Sequence, residues 1–336
     1  NHYYFVSLVA LLLCFVPANK RFSLDARLNP QIRTQKTSAW HIYILMFQLG
    51  CVYFFAGIAK INSEWLLYAQ PLKLWLHGRH DLHPILKEEW LAYFASWFGC
   101  LYDLLIPFTL LYRKTRPVAY VFVILFHVFT WALFPIGVFP WVMIVSTIIF
   151  FSPKFHEKIL SFFEKQPFED SSSPSKSNTK LIAFFVILYA FVQVALPMRY
   201  LLYPGHLFWN EEGYRFSWRV MLMEKHGHAQ FYVKNKDTGK EIMVNNEQYL
   251  TPRQEKQMST QPDFILQYAH LLKEKYQDST FQFGNHQQTW DNIGVHAKIM
   301  VTLNGRPSQL FVDKKHDLTK YKYNLCHRKW IEPFKE

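Results

Sequence analysis

The sequence predicts a polytopic α-helical membrane protein with a C-terminal extramembrane α+β module. Three observations predict it. From about residue 3 to 197 long apolar runs dominate, whereas from about 198 to 336 the chain is polar, charged and rich in turns. Thr37 to Ala59 is a 23-residue stretch without Asp, Glu, Lys or Arg, long enough to cross a bilayer, and Lys60 closes it. Val118 to Pro153 holds 36 more positions without a formal charge. The 50% hydrophobic content of the 336 residues is therefore an average of two unlike halves.

The elements follow in order. Tyr3 to Pro17 is the first apolar segment, and its start reads as the end of a truncated helix. A polar loop follows, ANKRFSLDARLNPQIRTQK, with Asp25 and Asn29-Pro30 as turn signals. The second segment runs from about Trp40 to Lys60. The aromatic, amphipathic stretch after it, INSEWLLYAQPLKLWLHGRHDLHP, carries too many charges for a span and predicts interfacial or re-entrant helices. The third span is about Trp90 to Tyr112, with Asp103 as its only formal charge. Pro135, Gly137 and Pro140 divide Val118 to Pro153 into two spans joined by a tight turn. Residues 165–180 read as a flexible linker, and Leu181 to Pro197 as the last span. The count is about six membrane segments within a catalytic region 1–197, followed by the module 198–336.

In the polar half, HAQFYVKNKDTGKEIMV predicts a hairpin around Asp237-Thr238-Gly239. Residues 251–276 have helical periodicity, with Phe264, Leu266, Tyr268, Leu271 and Leu272 as the apolar face. HAKIMVTLNGRPSQLFVD predicts a second hairpin with Asn304-Gly305 as its turn.

Composition excludes several classes. The net charge of +12 does not by itself imply nucleic acid: basic residues cluster at the ends of apolar runs, such as Lys20-Arg21 and Arg113-Lys114, which fits anchoring to anionic headgroups. Four scattered cysteines make neither a disulfide framework nor a zinc pattern. His226 and His228 stand two apart without a nearby carboxylate or thiol to complete a site, so no metal is expected. No signal peptide is evident, and loops on both sides are basic, so charge bias does not set orientation.

Ionisable groups in apolar segments are candidates for chemistry because they are costly there. Lys60 either snorkels to the interface beside Asn62 and Glu64, or sits in a low-dielectric site and serves as a base. His127, the only titratable histidine, lysine or carboxylate between Val118 and Pro153, is either satisfied by a backbone carbonyl or bonds a substrate oxygen. Asp103 has three candidate roles: pairing with Lys60, pairing with Arg116, or orienting His127. Asn1 and His2 read as capping or interfacial residues on position alone. In the connector, Arg215 and Trp218 lie in a mixture of charges and aromatics that suits either a membrane-surface network or the mouth of a pocket. Lys60 and His127 are expected to face one apolar cavity.

Several of these stretches resemble one family. YFFAGIAKINSEW, from Tyr53 to Trp65, is similar to the active-site lysine region of the vitamin K-dependent gamma-glutamyl carboxylases. NHYYF, ANKRFSLDARLNP, LFHVFTWALFPIGVFPWVM, SPKF, LYPGHLFWNEEGYRFSWRVMLMEK and WIEPF resemble the same family, in order, over most of the chain. The resemblance implies a membrane enzyme that oxidises vitamin K hydroquinone with oxygen to the epoxide. The strong base so formed removes a γ proton from a peptide glutamate, and the carbanion captures carbon dioxide. Lys60 falls on the base that deprotonates the hydroquinone, Asn1 and His2 on a polar pair required for the site, and His127 on a histidine that meets a quinone oxygen. His127 and Asn1 are thereby implied in cofactor binding, with Asp103, Arg215 and Trp218 as supporting residues. Menaquinol is an alternative cosubstrate.

The resemblance further implies a lipid bilayer around the spans and a glutamate-containing peptide or protein as substrate. It also implies a quinone-reducing enzyme as partner. It places the C-terminal module on the luminal or extracytoplasmic side, in a bacterial inner membrane or an animal endoplasmic reticulum. Where animal members carry two adjacent lysines this chain has Ala59-Lys60, which keeps the base. The long C-terminal region of the animal enzymes has no counterpart before Glu336, which leads us to expect a compact microbial homolog or a fragment. Two other readings stay open: a quinol epoxidase of the same family without protein carboxylation, and a non-catalytic membrane interaction protein.

Overall fold

Helix formation follows from long apolar runs whose few internal breakers, such as Pro107 within Glu89–Leu111, do not end the helix. A computed structural model describes residues 2–34, 36–162, 179–284 and 286–335, with the His2 side chain excluded. Residues 165–178 of the expected linker lie outside the described residues, and Thr179 and Lys180 already belong to the last long helix. The chain divides into two compact units, Asn1–Met198 with Phe216–Val220, and Arg199–Arg215 with Met221–Glu336.

The first unit is helical: α1 His2–Phe15, α2 Leu24–Leu28, α3 Ala39–Lys60, α4 Ser63–Leu66, α5 Leu72–His77, α6 Glu89–Leu111, α7 Arg116–Leu133, α8 Phe139–Thr147, α9 Pro153–Leu160 and α10 Thr179–Met198. At 22 residues α3 is about 33 Å long, a bilayer's hydrocarbon thickness. Among the described residues four helices are long and apolar enough to cross a membrane: α3, α6, α7 and α10 with its extension to Leu202. A fifth candidate is α1 taken with the segment to Leu28, bent by 64°. The count falls below six for two reasons. The sequence from Phe139 to Phe150 is a nine-residue helix plus one tighter turn, and α1 alone is only 14 residues.

α3 packs most extensively on α6, with α7 against α6 and α8, and α1 and α10 against α3. The core of this unit contains Phe5, Val52, Tyr53, Tyr102, Val123, Met143 and Trp218. Gly57 allows the closest approach: a Cβ there would stand 2.8 Å from the Leu104 backbone nitrogen on α6. Outward faces of α7 and α10 expose Val121, Leu125, Phe184, Ile187 and Phe191, which is unremarkable for helices whose solvent is lipid. The protein is an integral membrane protein.

The second unit is α+β. It contains α11 Leu207–Asn210, β1 Lys225–Asn235, β2 Glu241–Met243, α12 Pro252–Met258, α13 Pro262–Tyr276, β3 Ser279–Phe283, β4 His286–Trp290, β5 Ile293–Leu303 and β6 Gln309–Val312. The two expected hairpins join into one antiparallel sheet of order β2-β1-β5-β6, because β1 and β5 pair over their full lengths. Asn304 and Gly305 both take positive φ, 51° and 78°, as the centre of a β-turn closed by the Arg306 amide on the Leu303 carbonyl, and Arg306 to Ser308 complete a connection longer than the two-residue turn expected. The predicted helix 251–276 is interrupted before Pro262, and a Thr251–Gln254 capping box opens its first half. Its buried face is Ile265, Leu266, Tyr268, Ala269 and Leu272; of the five expected positions Leu266, Tyr268 and Leu272 are buried, Phe264 is half-buried and Leu271 is exposed. The β3–β4 ribbon was not foreseen.

Candidate functional site

A buried charge pair ties α3 to α6. Lys60 ends α3, and its Nζ stands 2.5 Å from Asp103 Oδ2, with the two side chains 9% and 8% exposed. The amine is therefore not extended toward water. It also donates to the Ala56 carbonyl at 3.3 Å and lies 5.5 Å from the Trp65 ring centre. The local sequence makes this arrangement. Asn62 ends the long helix and caps α4 by accepting from the Trp65 amide, which turns Trp65 back over the lysine. Trp65 Nε1 donates to the Ser96 carbonyl at 2.9 Å, and the Ser96 hydroxyl donates to the Trp65 carbonyl. The lysine stem passes beside Gly99, where a Cβ would meet Lys60 Cε at 4.0 Å, an ordinary packing distance. Of the three roles open to Asp103, the geometry selects the Lys60 pair. Arg116 instead donates to the Leu110 and Leu111 carbonyls at 2.7 and 3.0 Å, closing the C-terminus of α6.

His127, on α7, is buried. Its Nε2 is 3.1 Å from the Tyr53 hydroxyl, which is also 3.3 Å from Thr147 Oγ1 on α8. The partner of the ring is thus a phenol rather than a backbone carbonyl. Tyr102, beside Asp103 in sequence, places its ring 6.1 Å from that of Tyr53 and 6.5 Å from that of His127, and stacks on Phe126 at 4.1 Å. Its buried hydroxyl makes no hydrogen bond of good geometry among the described residues, but lies close enough to the Tyr53 hydroxyl to interact with it. Lys60 and His127 are thereby linked through intermediaries. Tyr53 precedes Lys60 by seven residues, about two turns on one face of α3, and Tyr102 adjoins Asp103 on α6.

The other expected site residues lie elsewhere. Trp218 is buried in the first unit, stacked on Tyr4 at 5.0 Å and edge-on to Phe5 at 6.4 Å. Arg215 belongs to the second unit and pairs with Asp263 at 2.9 Å. Asn1 lies outside the described residues, as does the His2 side chain. Sequence reading missed Tyr53, Tyr102 and Thr147. The available signal was a hydroxyl at helical spacing from, or adjacent to, a lone ionisable group in a charge-free run.

In the second unit Glu212 is buried and accepts from the Arg328 amide at 2.5 Å and from His327 Nδ1 at 2.9 Å. A cleft of about 310 Å³ nearby is lined by Asp263, Lys320, Tyr321, Arg328 and Trp330 among others. Among the described residues no group of three or more His, Cys, Asp or Glu is placed to hold a metal ion.

These features define an integral membrane protein with an ion pair and a histidine–phenol pair buried between its spans, and a separate α+β unit. The family described as vitamin K-dependent gamma-carboxylase, lumenal domain, matches residues 178–336. The HTTM domain family matches residues 1–155. Between them these matches span nearly all of the sequence, and the chain belongs to the vitamin K-dependent gamma-glutamyl carboxylase family. No solved structure matches the chain.

Proposed function

We propose that this protein is a vitamin K hydroquinone-dependent carboxylase that couples quinol epoxidation by oxygen to carboxylation of peptide glutamate. The observation that carries the reading is the buried Lys60–Asp103 pair, with Tyr53 and His127 two turns away, between the spans of a chain of this family. The bound quinol, with oxygen and carbon dioxide, supplies the oxidation and the carboxyl group. The Tyr102 hydroxyl, buried beside Tyr53 and His127 without a well-aligned hydrogen bond, supports a ligand that carries oxygen.

The ion pair supports a role for Lys60 as base. A proton moves between its amine and the Asp103 carboxylate without creating net charge, so the pair offers a free amine at low cost in an apolar site. When that amine takes a proton from a quinol hydroxyl, the pair carries one positive charge opposite the anion it has formed. Trp65, over the amine, shields that charge from water. His127, and by family resemblance Asn1 and His2, orient the quinol oxygen; Asp103 supports Lys60. Arg215 and Trp218 have structural partners in the present geometry and enter only as supports of the fold around the site. The second unit is proposed to face the luminal or extracytoplasmic side and to receive the glutamate peptide. A quinone-reducing enzyme regenerates the quinol.

The test is full-length protein in nanodiscs with reduced vitamin K, and separately menaquinol, oxygen, labelled carbon dioxide and a glutamate-containing peptide. Epoxide and peptide label should both appear and both vanish in Lys60→Ala. Epoxide without label under peptide saturation overturns the carboxylase reading. Absence of quinol oxidation by the folded wild type overturns both activities.

A further inference from the structure

Three hydrogen bonds around Tyr53 constrain how its protons are placed, and the neighbouring Tyr102 hydroxyl, with its own hydrogen free, can add a donor to the Tyr53 oxygen without taking the Tyr53 hydrogen. Thr147 Oγ1 is 2.7 Å from the Met143 carbonyl, which can only accept, so the Thr147 hydrogen is committed there. Toward Tyr53, at 3.3 Å, Thr147 must then accept, and Tyr53 must donate. With its single hydrogen so placed, the Tyr53 oxygen accepts from His127 Nε2 at 3.1 Å. The opposite assignment, Tyr53 donating to the imidazole, leaves two oxygens facing each other across the Tyr53–Thr147 gap with no hydrogen between them. All three residues are buried and come from α3, α7 and α8, so water does not replace the missing donor.

We infer that Tyr53, backed by Thr147 and the Met143 carbonyl, fixes neutral His127 in its Nε2–H tautomer, so that Nδ1 offers a lone pair and the site selects a ligand that presents a hydroxyl hydrogen. A hydroquinone has that hydrogen; the corresponding quinone and epoxide do not. The relay therefore discriminates the reduced ligand from its oxidised forms by one hydrogen bond, worth up to about tenfold in affinity for a neutral pair. Tyr53 and Thr147 are positioning residues that act through the imidazole. The tautomer stands on the geometry alone, whereas the ligand class rests on the proposed function.

The experiment is solid-state 15N NMR of proteoliposomes containing full-length protein with ring-labelled histidine, near pH 8, where an ordinary histidine of pKa about 6.5 is neutral. Subtracting the His127→Gln spectrum identifies the His127 signals. Wild type should show a protonated Nε2 and an unprotonated Nδ1. Thr147→Val removes the acceptor for Tyr53, frees the phenol hydrogen for His127 and should reverse the pattern. Thr147→Ser should restore it. In parallel, the dissociation constant for vitamin K quinone divided by that for vitamin K hydroquinone, the latter measured without oxygen, should fall about tenfold in Thr147→Val and recover in Thr147→Ser. A wild-type spectrum with protonated Nδ1 overturns the inference even if quinol is turned over. The expected spectrum in a protein that turns over no quinol upholds the tautomer and removes the proposed function instead. An unchanged affinity ratio in a variant whose tautomer has reversed overturns the selectivity.

Discussion

Removing both members of the Lys60–Asp103 pair should damage the fold less than removing either one. The two side chains are 9% and 8% exposed, so each has given up nearly all its hydration and relies on the other at 2.5 Å. Lys60→Met leaves Asp103 buried without its cation, and Asp103→Leu leaves the amine without its anion. Breaking a buried pair costs about 3–5 kcal/mol. Here the lower end applies, because either group alone can lose its charge by taking up or releasing a proton. Each single variant should therefore lose about 3 kcal/mol. In the double variant, side chains of similar volume fill the same space between α3 and α6 with no charge left to compensate. Its stability should lie within about 1 kcal/mol of wild type, a coupling of about 5 kcal/mol. The assay is reversible unfolding in mixed micelles by sodium dodecyl sulfate titration, followed by tryptophan fluorescence and by helical circular dichroism. Quinol epoxidation is measured on the same preparations and should be absent from both Lys60 variants. Loss in the double variant equal to the sum of the singles would refute the idea that the charges depend on each other. A stable double variant that still forms epoxide would refute the role of Lys60.

Three further outcomes are expected. Gly57→Ala puts a Cβ 2.8 Å from the Leu104 backbone nitrogen, so α3 and α6 must separate; about 2 kcal/mol of stability should be lost together with epoxidation, and an unperturbed variant in the same titration would contradict the close approach. Glu212→Ala should destabilise the C-terminal unit of the full chain by about 2–3 kcal/mol, since the Arg328 amide and His327 Nδ1 lose their acceptor; proteolytic susceptibility of the 320–330 segment reads this out, and unchanged cleavage counts against it. Burial pushes the Asp317 carboxyl up, but the Thr319 hydroxyl at 2.7 Å and the Lys236 ammonium at 2.9 Å outweigh it and hold it below the usual carboxylate range. A depressed carboxyl contributes stability above its unfolded pKa of about 3.9 and loses it as pH falls through the folded value, so Asp317→Asn should flatten acid unfolding of this unit below about pH 4, and an unaltered acid limb would refute the assignment.

The long spans were legible because a charge-free run of bilayer length has few alternative fates, and α3 runs from Ala39 to Lys60 almost where composition places it. The hairpins were legible from Asp237-Thr238-Gly239 and Asn304-Gly305, whose turn chemistry is local. Their union through β1 and β5 was not, because nothing local in either hairpin names its partner across some sixty intervening residues. The short α8 was read as a span because hydropathy counts apolar residues and not the turn at Ile148–Phe150 that ends the helix. Within the site, isolated charges drew attention to Lys60, Asp103 and His127. Tyr53 and Thr147 did not stand out, since a phenol or a threonine in an aromatic-rich span is ordinary packing until the chain brings it to a histidine.

The division between the two buried pairs follows from what each can do with a proton. A proton passing between Lys60 and Asp103 would leave their total charge unchanged, which suits the base proposed for this site. His127 is held by a phenol whose own hydrogen is directed to Thr147, and that favours a fixed hydrogen-bonding role over proton uptake. α3 carries one member of each pair, Lys60 and Tyr53, about two turns apart on one face. α6 sets Asp103 and Tyr102 side by side against them, and Gly57 lets the two helices come close enough for both contacts to form. On the proposed function, α3 carries both the base, Lys60, and Tyr53, which positions His127, so a shift of α3 against α6 is expected to disturb proton transfer and ligand orientation together.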